Sequence, residues 1–403
     1  MNVNTQRRVD RILGVFICHI LSCCYRKKEK PGFKAIGTKA GRILIILLSE
    51  MGSLVLAHPM FQRIKEKFPD AAIHVLLFEK NREILELLEV VPRENILTID
   101  DASMVKFIQD SLSVMRKMRR MKFDIVIDCE LFARISSVLS FFTGAATRVG
   151  FHRHTMEGLY RGDFINRPVL YNPYHHISEQ FVTLAEAIDS NAVPKNKFLP
   201  EDREKIVPRA RISESEIRDM KKRFYGDFPA TERKKLVLLY PSGGLLPIRA
   251  WPPGFFCELS ASLIQKGYAV GIIGMKSDKE LARKILLHCQ DSSCIDLTGY
   301  TKSIRELMMI FHLAVLLITN DGGPGHFAAM TPIKTILFYG PETPALYGPL
   351  SAKARVFYCS LSCSPCLTAY NHRNSPCDGD NVCLKSINPE EVLASALELL
   401  GAP

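Results

Sequence analysis

Residues 318–349, ITNDGGPGHFAAMTPIKTILFYGPETPALYGP, constrain the fold more than any other stretch of the chain. They set a buried strand against a glycine-bearing turn, a helix and a second strand in direct succession. The apolar run 314–318 reads as the strand and 319–325 as the turn, and Pro324 suits the first helical turn, where its missing N–H costs nothing. Gly322, Gly323 and Gly325 put no Cβ between backbone amides and a ligand, so the helix mouth suits an anion such as a diphosphate. A plain connecting turn is the other reading of these glycines. The residues beyond the turn are more specific: His326 enters the helix, Ala328 and Ala329 keep it small, 335–339 is a second strand, and GPETPALYGP closes the series.

This ordered series resembles glycosyltransferase family 9, the bacterial lipopolysaccharide heptosyltransferases, whose nucleotide-sugar segment has the form TNDTGPxHLAA, a strand, then FGPTxPxxWGP. The chain departs from it at Gly322, where the family usually carries Thr or Ser, so one hydroxyl ligand to phosphate is missing. A second segment, PSGGLLPIRAWPP (241–253), is similar to the family pattern in which Lys or Arg two residues before WP lies near the donor phosphates. Arg249, Ala250, Trp251 and Pro252 occupy it here. The resemblance covers most of residues 41–400. It implies a GT-B fold, two Rossmann-like doubly wound domains facing each other across a cleft, with the donor in the C-terminal half. It also implies an inverting, metal-independent transfer of a heptose-like sugar from a nucleotide diphosphate sugar, with ADP-heptose the suspected donor. The acceptor would be a lipopolysaccharide or other cell-envelope glycolipid.

The periodicity of the chain agrees with two such halves. An apolar strand at 42–48, a helical period at 55–68 and a strand at 72–78 form a βαβ opening, and strands at 94–99, 124–129 and 148–151 continue it. Alternating strands and helices predict a mostly parallel sheet with helices on both faces. The Pro-, Lys- and Glu-rich stretch 191–215 separates this from a second series, with strands at 234–240 and 268–273 and helices at 253–265, 278–288 and 304–312. Ser303 with Glu306, and Asn388 with Glu391, have helix-start form. The expected organisation is a basic amphipathic arm (1–40), an acceptor domain (41–195), a linker (196–215) and a donor domain (216–403) with a Cys-rich segment (359–383) and a terminal helix. No internal repeat is evident in the sequence.

Sugar transfer with inversion needs a grip on the leaving diphosphate, positive charge as it departs, and a base for the acceptor hydroxyl. The Gly322–Gly325 turn is the first. Arg249 supplies the second, since a guanidinium grips phosphate with two prongs; solvated surface beside a core Trp251 is its plainer reading. Ser242 and Gly243, at another strand end, offer further donors to phosphate. His326 and Asp321 would orient the sugar, with helix capping the alternative for Asp321. Asp278 would hold ribose hydroxyls, as a carboxylate does in Rossmann sites, unless it serves as a helix start. The family carries an Asp in the loop after the first strand, in a segment MGDV, as the base. This chain reads SEMGSLV, with Ser53 at that place, and serine is no general base at neutral pH. Glu50 is therefore the expected base, with Asp128 and Glu130 as second choices. On the acceptor side, Ser53 joins His176, which together with His175 matches a family position at a helix start; capping and packing are the alternative. A chain keeping the donor grip without a base would be a catalytically silent nucleotide-sugar or glycolipid binding module.

The formal net charge is +11, and residues 1–42 hold ten Lys/Arg against two Asp/Glu, so most of the excess sits at the front. The apolar run 12–25 is shorter than the roughly 20 residues a spanning helix requires. Beside RKKEK it reads as an interfacial foot on an anionic membrane surface, which places the protein in the cytoplasm, peripheral on the inner face of the cell membrane. A signal peptide lacks its small-residue cleavage site here, and an ordinary packed helix is the remaining reading. Nucleic acid is not an expected partner, because the basic segment lacks interleaved aromatics. A second basic cluster, Arg116 to Lys122, ends a helix that could meet an anionic glycolipid or simply be solvated. No H-x-E-x-x-H pair or Walker lysine loop is present, and no cofactor is expected for catalysis. Cys363, Cys366, Cys377 and Cys383 have the spacing C-x2-C-x10-C-x5-C, open to a structural zinc, disulfides or free thiols.

Overall fold

The computed structural model describes residues 10–28, 40–48, 50–131, 133–152, 159–189, 207–368, 374–375 and 377–401. The chain divides into two compact units, Met1–Ile206 and Val207–Pro403. Residues 1–9 and 29–39 of the basic arm and 196–206 of the expected linker lie outside the described residues. The helix Glu214–Asp227 starts within the segment read as linker, because Ser213 and Glu216 cap its first turn reciprocally.

Each unit is built on one parallel six-stranded sheet. In the first, β1 (Arg42–Ile46), β2 (Ala72–Phe78), β3 (Ile96–Ile99), β4 (Ile125–Asp128), β5 (Thr147–Phe151) and β6 (Arg167–Val169) lie in the order β3-β2-β1-β4-β5-β6. In the second, β7 (Leu236–Tyr240), β8 (Ala269–Gly274), β9 (Cys294–Thr298), β10 (Leu316–Asn320), β11 (Lys334–Tyr339) and β12 (Ala354–Tyr358) lie in the order β12-β11-β10-β7-β8-β9. Read outward from the first strand of each unit, the two orders are the same, so the fold repeats although the sequence shows no repeat. The central strands, RILII, LVLLY and LLITN, are apolar without alternation because helices cover both sheet faces. The sequence reading missed β6, β9 and β12. Each is short, and Pro168, Asp296 and the half-buried face of β12 hide the apolar signal.

Doubly wound sheets of this order reverse direction between their first and fourth strands, and the crevice beyond the carboxyl ends of those strands is where such folds bind ligands. Here the reversals fall between β1 and β4, paired Ile43 to Ile125, and between β7 and β10, paired Val237 to Leu316.

The apolar run near the front forms a wide turn at Asp10–Gly14 and a helix, Val15–Lys28, that packs on the first unit. Cys18 and Ser22 are buried against Tyr160, whose hydroxyl lies 2.8 Å from that of Ser22, and Asp10 accepts from the backbone N–H of Arg134 and Ile135 at the start of the helix Arg134–Thr143. One face is thus a packed helix, as the plainer reading had it, while Ile12, Phe16 and Ile20 on the other face are exposed. No helix among the described residues is long and apolar enough to cross a membrane.

Candidate functional site

The loops after β7 and β10 meet at the reversal of the second sheet, and Asn320 ties them together. Its side-chain oxygen accepts from the Trp251 backbone N–H at 2.9 Å, and its amide donates to the carbonyls of Ser242 at 3.2 Å and Tyr240 at 3.4 Å. Trp251 is fully buried, with its indole N–H donating to the Ile387 carbonyl, so it anchors the segment that carries Arg249. The sequence reading left Asn320 out although it stands inside the motif; an amide at the last position of a buried strand was the signal.

Arg249 does not lie on solvated surface. Its Nη2 donates to Glu342 Oε1 at 2.7 Å, and its Nε lies 3.5 Å from Asp321 Oδ2, while Glu342 and Asp321 are both buried. Glu342 is a residue that sequence reasoning missed. It stands in the loop three residues beyond β11, where the family pattern FGPT has Thr. Two buried carboxylates therefore face one guanidinium at the place expected to receive a diphosphate. Asp321 does not cap the following helix: the cap position of Gly323–Ala328 is Gly322, with no side-chain cap. Its carboxylate turns to Arg249 instead. Burial, with Asp321 next in effect, pushes the Tyr339 phenol well above its ordinary range, and its hydroxyl donates to the Tyr347 carbonyl. His326 is buried within its short helix.

The glycines divide by role. A Cβ at Gly322 would meet nothing nearer than Pro324 Cδ at 3.9 Å, so the turn is open there and has room for the Thr or Ser the family carries. At Gly325 a Cβ would come 2.5 Å from Leu337 Cδ2, and at Gly323 3.1 Å from Phe327. At Gly243 it would come 2.7 Å from the Leu246 carbonyl oxygen. Packing alone thus requires glycine at Gly243 and Gly325. Asp278 is also already engaged, accepting from the Ser242 hydroxyl at 2.9 Å and the Met275 N–H at 2.7 Å, which braces the loop after β7 against the end of β8.

At the reversal of the first sheet, Glu50 precedes the short helix Met51–Leu56, and the Ser53 hydroxyl donates to its Oε2 at 3.4 Å. The pair stands at the carboxyl end of β1, half-buried. The second-choice bases are tied into the scaffold. Asp128 is fully buried against Arg161, which also donates to the carbonyls of Ala133, Glu130 and Phe151; burial drives the Asp128 carboxyl up, and Arg161 opposes this. Glu130 accepts from the Leu48 N–H at 2.7 Å. His176 caps the helix Ile177–Glu186, its Nδ1 accepting from the Ser178 N–H, as its alternative reading held, and His175 lies 3.7 Å from Glu179.

The four spaced cysteines are free thiols, with Cys363 and Cys377 exposed and Cys383 buried in the core of the second unit. Among the described residues no three of His, Cys, Asp and Glu converge in metal-holding geometry. Burial pushes the Cys383 thiol up, with the neighbouring Cys366 adding to it.

The family model described as Glycosyltransferase family 9 (heptosyltransferase) matches residues 111–375. The lipooligosaccharide heptosyltransferase 2 of Haemophilus ducreyi is 27% identical over 318 residues, 78% of this chain and 87% of its own length. The lipopolysaccharide heptosyltransferase 2 of Salmonella typhimurium is 24% identical over 365 residues, 89% and 99% of the two chains. Among solved structures, the Escherichia coli ADP-heptose lipopolysaccharide heptosyltransferase II superposes with a TM-score of 0.68 at 21% identity, covering 89% of this chain and 98% of that one. The fold class is accordingly GT-B.

Proposed function

The chain belongs to glycosyltransferase family 9 and is a glycosyltransferase, and from that premise we propose that it transfers a heptose from ADP-heptose to a lipopolysaccharide-type acceptor with inversion at the anomeric carbon. The observation that carries this reading is the meeting of Arg249, Asp321 and the open Gly322 turn at the β7–β10 reversal, where a doubly wound sheet takes its nucleotide. Arg249 gives the departing diphosphate a delocalised charge, and the amides beyond Gly322 add donors in a site already organised before the donor arrives. Asp321 and His326 orient the sugar. Ser242, held by Asp278, presents its loop to the nucleotide.

Glu50 takes the acceptor proton. The Ser53 hydroxyl, donating to its carboxylate, fixes the orientation that the family gives to an Asp at the Ser53 position. Removing the proton as the oxygen attacks leaves the diphosphate to depart on the opposite face of the sugar, so one displacement inverts the anomeric carbon. The basic front of the chain brings the enzyme to the anionic inner face of the cell membrane, where its glycolipid acceptor lies. The names of the relatives support the heptose, and ADP-heptose in the name of the solved relative supports the nucleotide.

The test is a donor panel of ADP-, UDP- and GDP-sugars with a heptose-deficient lipopolysaccharide acceptor, read by mass of the product and by the anomeric coupling of the new linkage. Transfer from ADP-heptose alone is the expected result, and retention of configuration would refute the single displacement. Glu50→Gln should lower kcat on the order of a hundredfold or more while leaving ADP affinity within about twofold. Full turnover in that variant would remove Glu50 from the role.

A further inference from the structure

Exposed large apolar side chains cluster on one helical layer of the first unit. The helices Val15–Lys28 and Met104–Met121 both pack against Arg134–Thr143. With the wide turn at Asp10–Gly14, these three helices carry ten of the sixteen large hydrophobic residues that are exposed among the described residues. Such concentration marks a surface that meets something apolar.

The helix Met104–Met121 has a divided outer stripe. Ile108, Leu112, Arg116 and Arg120 follow one another at four-residue steps and so share a face, apolar toward its first half and cationic toward its end. Val105 at 65%, Ile108 at 50% and Leu112 at 44% exposure make the apolar half open to solvent. Beside the cationic half lies a cavity of about 630 Å³ lined by Arg42, His74, Ser113, Arg116, Lys117 and Arg120 among others. It sits at the amino ends of the strands, where Arg42 begins β1, away from the carboxyl ends that carry Glu50 and Ser53. Arg42 donates to the Met121 carbonyl at 2.8 Å, and none of Arg42, Arg116, Lys117 and Arg120 makes an ion pair with a described carboxylate. Burial first, with Arg42 and Lys117 adding to it against the hydrogen bond to the Ala72 carbonyl, holds the His74 imidazole below its usual range.

We propose that this layer is a membrane-docking face in which Met104–Met121 makes a second contact besides the N-terminal helix: its apolar half enters the lipid interface and its cationic cavity receives lipid phosphate. Apolar side chains beside cations along one exposed helix are the pattern of an interfacial element, and the charges suit anionic headgroups. A two-fold contact between copies through the cationic end would bring like charges together. The inference rests on the reading of the protein as peripheral to an anionic membrane, and extends it from the N-terminal segment to a preformed site on the folded unit.

The test is flotation of the full chain with phosphatidylcholine vesicles, with and without phosphatidylglycerol. Three forms are compared with the parent: Arg116→Ala with Lys117→Ala and Arg120→Ala; Ile108→Asp with Leu112→Asp; and Ile12→Asp with Phe16→Asp. The parent should float only with the anionic vesicles. The triple cation variant should lose about fivefold in partitioning per residue, roughly a hundredfold in all, with its melting temperature unchanged. The Ile108 and Leu112 variant should lose binding as well. If both of these float like the parent while the Ile12 and Phe16 variant does not, the N-terminal segment acts alone and the proposal fails, though the peripheral reading stands. A parent that never floats removes both. Displacement by inorganic phosphate at matched ionic strength would mark a free-phosphate site, and a dimer in light scattering abolished by Ile108→Asp would mark a self-interface; either overturns the proposal.

Discussion

Replacing Glu342 by Gln should tighten donor binding, an effect opposite to the usual outcome of altering a buried site residue. Glu342 is 2% exposed and accepts from Arg249 Nη2 at 2.7 Å, while Asp321 lies 3.5 Å from Nε of the same guanidinium. A diphosphate arriving at Arg249 competes with Glu342 for one face of the guanidinium and is repelled by its charge. Gln keeps the shape and an acceptor oxygen but exchanges a charge-assisted hydrogen bond, about 1.5–3 kcal/mol, for a neutral one of about 0.5–1.5 kcal/mol. The difference of about 1–2 kcal/mol corresponds to roughly a five- to thirtyfold lower Kd. Isothermal titration with ADP at fixed ionic strength measures it, with a melting curve to show that the variant is folded. Arg249→Ala is the reference, since it should weaken ADP binding. If Glu342→Gln weakens ADP binding as Arg249→Ala does, Glu342 holds the guanidinium in place for the phosphate instead of competing with it, and the charge argument is refuted.

Two further outcomes test the scaffold. Asn320→Ala should destabilise the second unit by about 1–3 kcal/mol, because the fully buried Trp251 loses the acceptor of its backbone N–H; a calorimetric change below about 0.5 kcal/mol would refute its role as the tie between loops. The Arg305 guanidinium, then Ser213, hold Glu216 down to about 2 from its ordinary 4.5. A carboxylate depressed in the folded state contributes stability that is present above the unfolded value and lost as pH falls toward the folded one. Glu216→Gln should therefore flatten stability between those pH values, by less than about 1 kcal/mol because water screens the pair, and an unchanged acid profile would contradict it.

The sequence by itself determined the parallel sheets and the glycine-bearing turn at the end of a buried strand. Continuous apolar strands can be buried only between two helical layers, and a glycine-bearing turn between a strand and a helix start can occur only at a strand's carboxyl end. Those signals are local, carried by residues adjacent in the chain, and so were legible at 42–48, 234–240 and 318–349. Short strands such as Arg167–Val169 and Cys294–Thr298 were not, because neighbours in the sheet supply their burial. The same limit applied at the site. Arg249 could be named from its motif, but not its partners: Asp321 is 72 residues away in the chain and Glu342 is 93. Only the tertiary structure decided that Gly325 and Gly243 serve packing, that Asp278 is bound to Ser242, and that Asp128 is closed off by Arg161. Burial and charge balance are sums over groups that the fold gathers from distant segments, and no window of sequence contains all the members of such a sum.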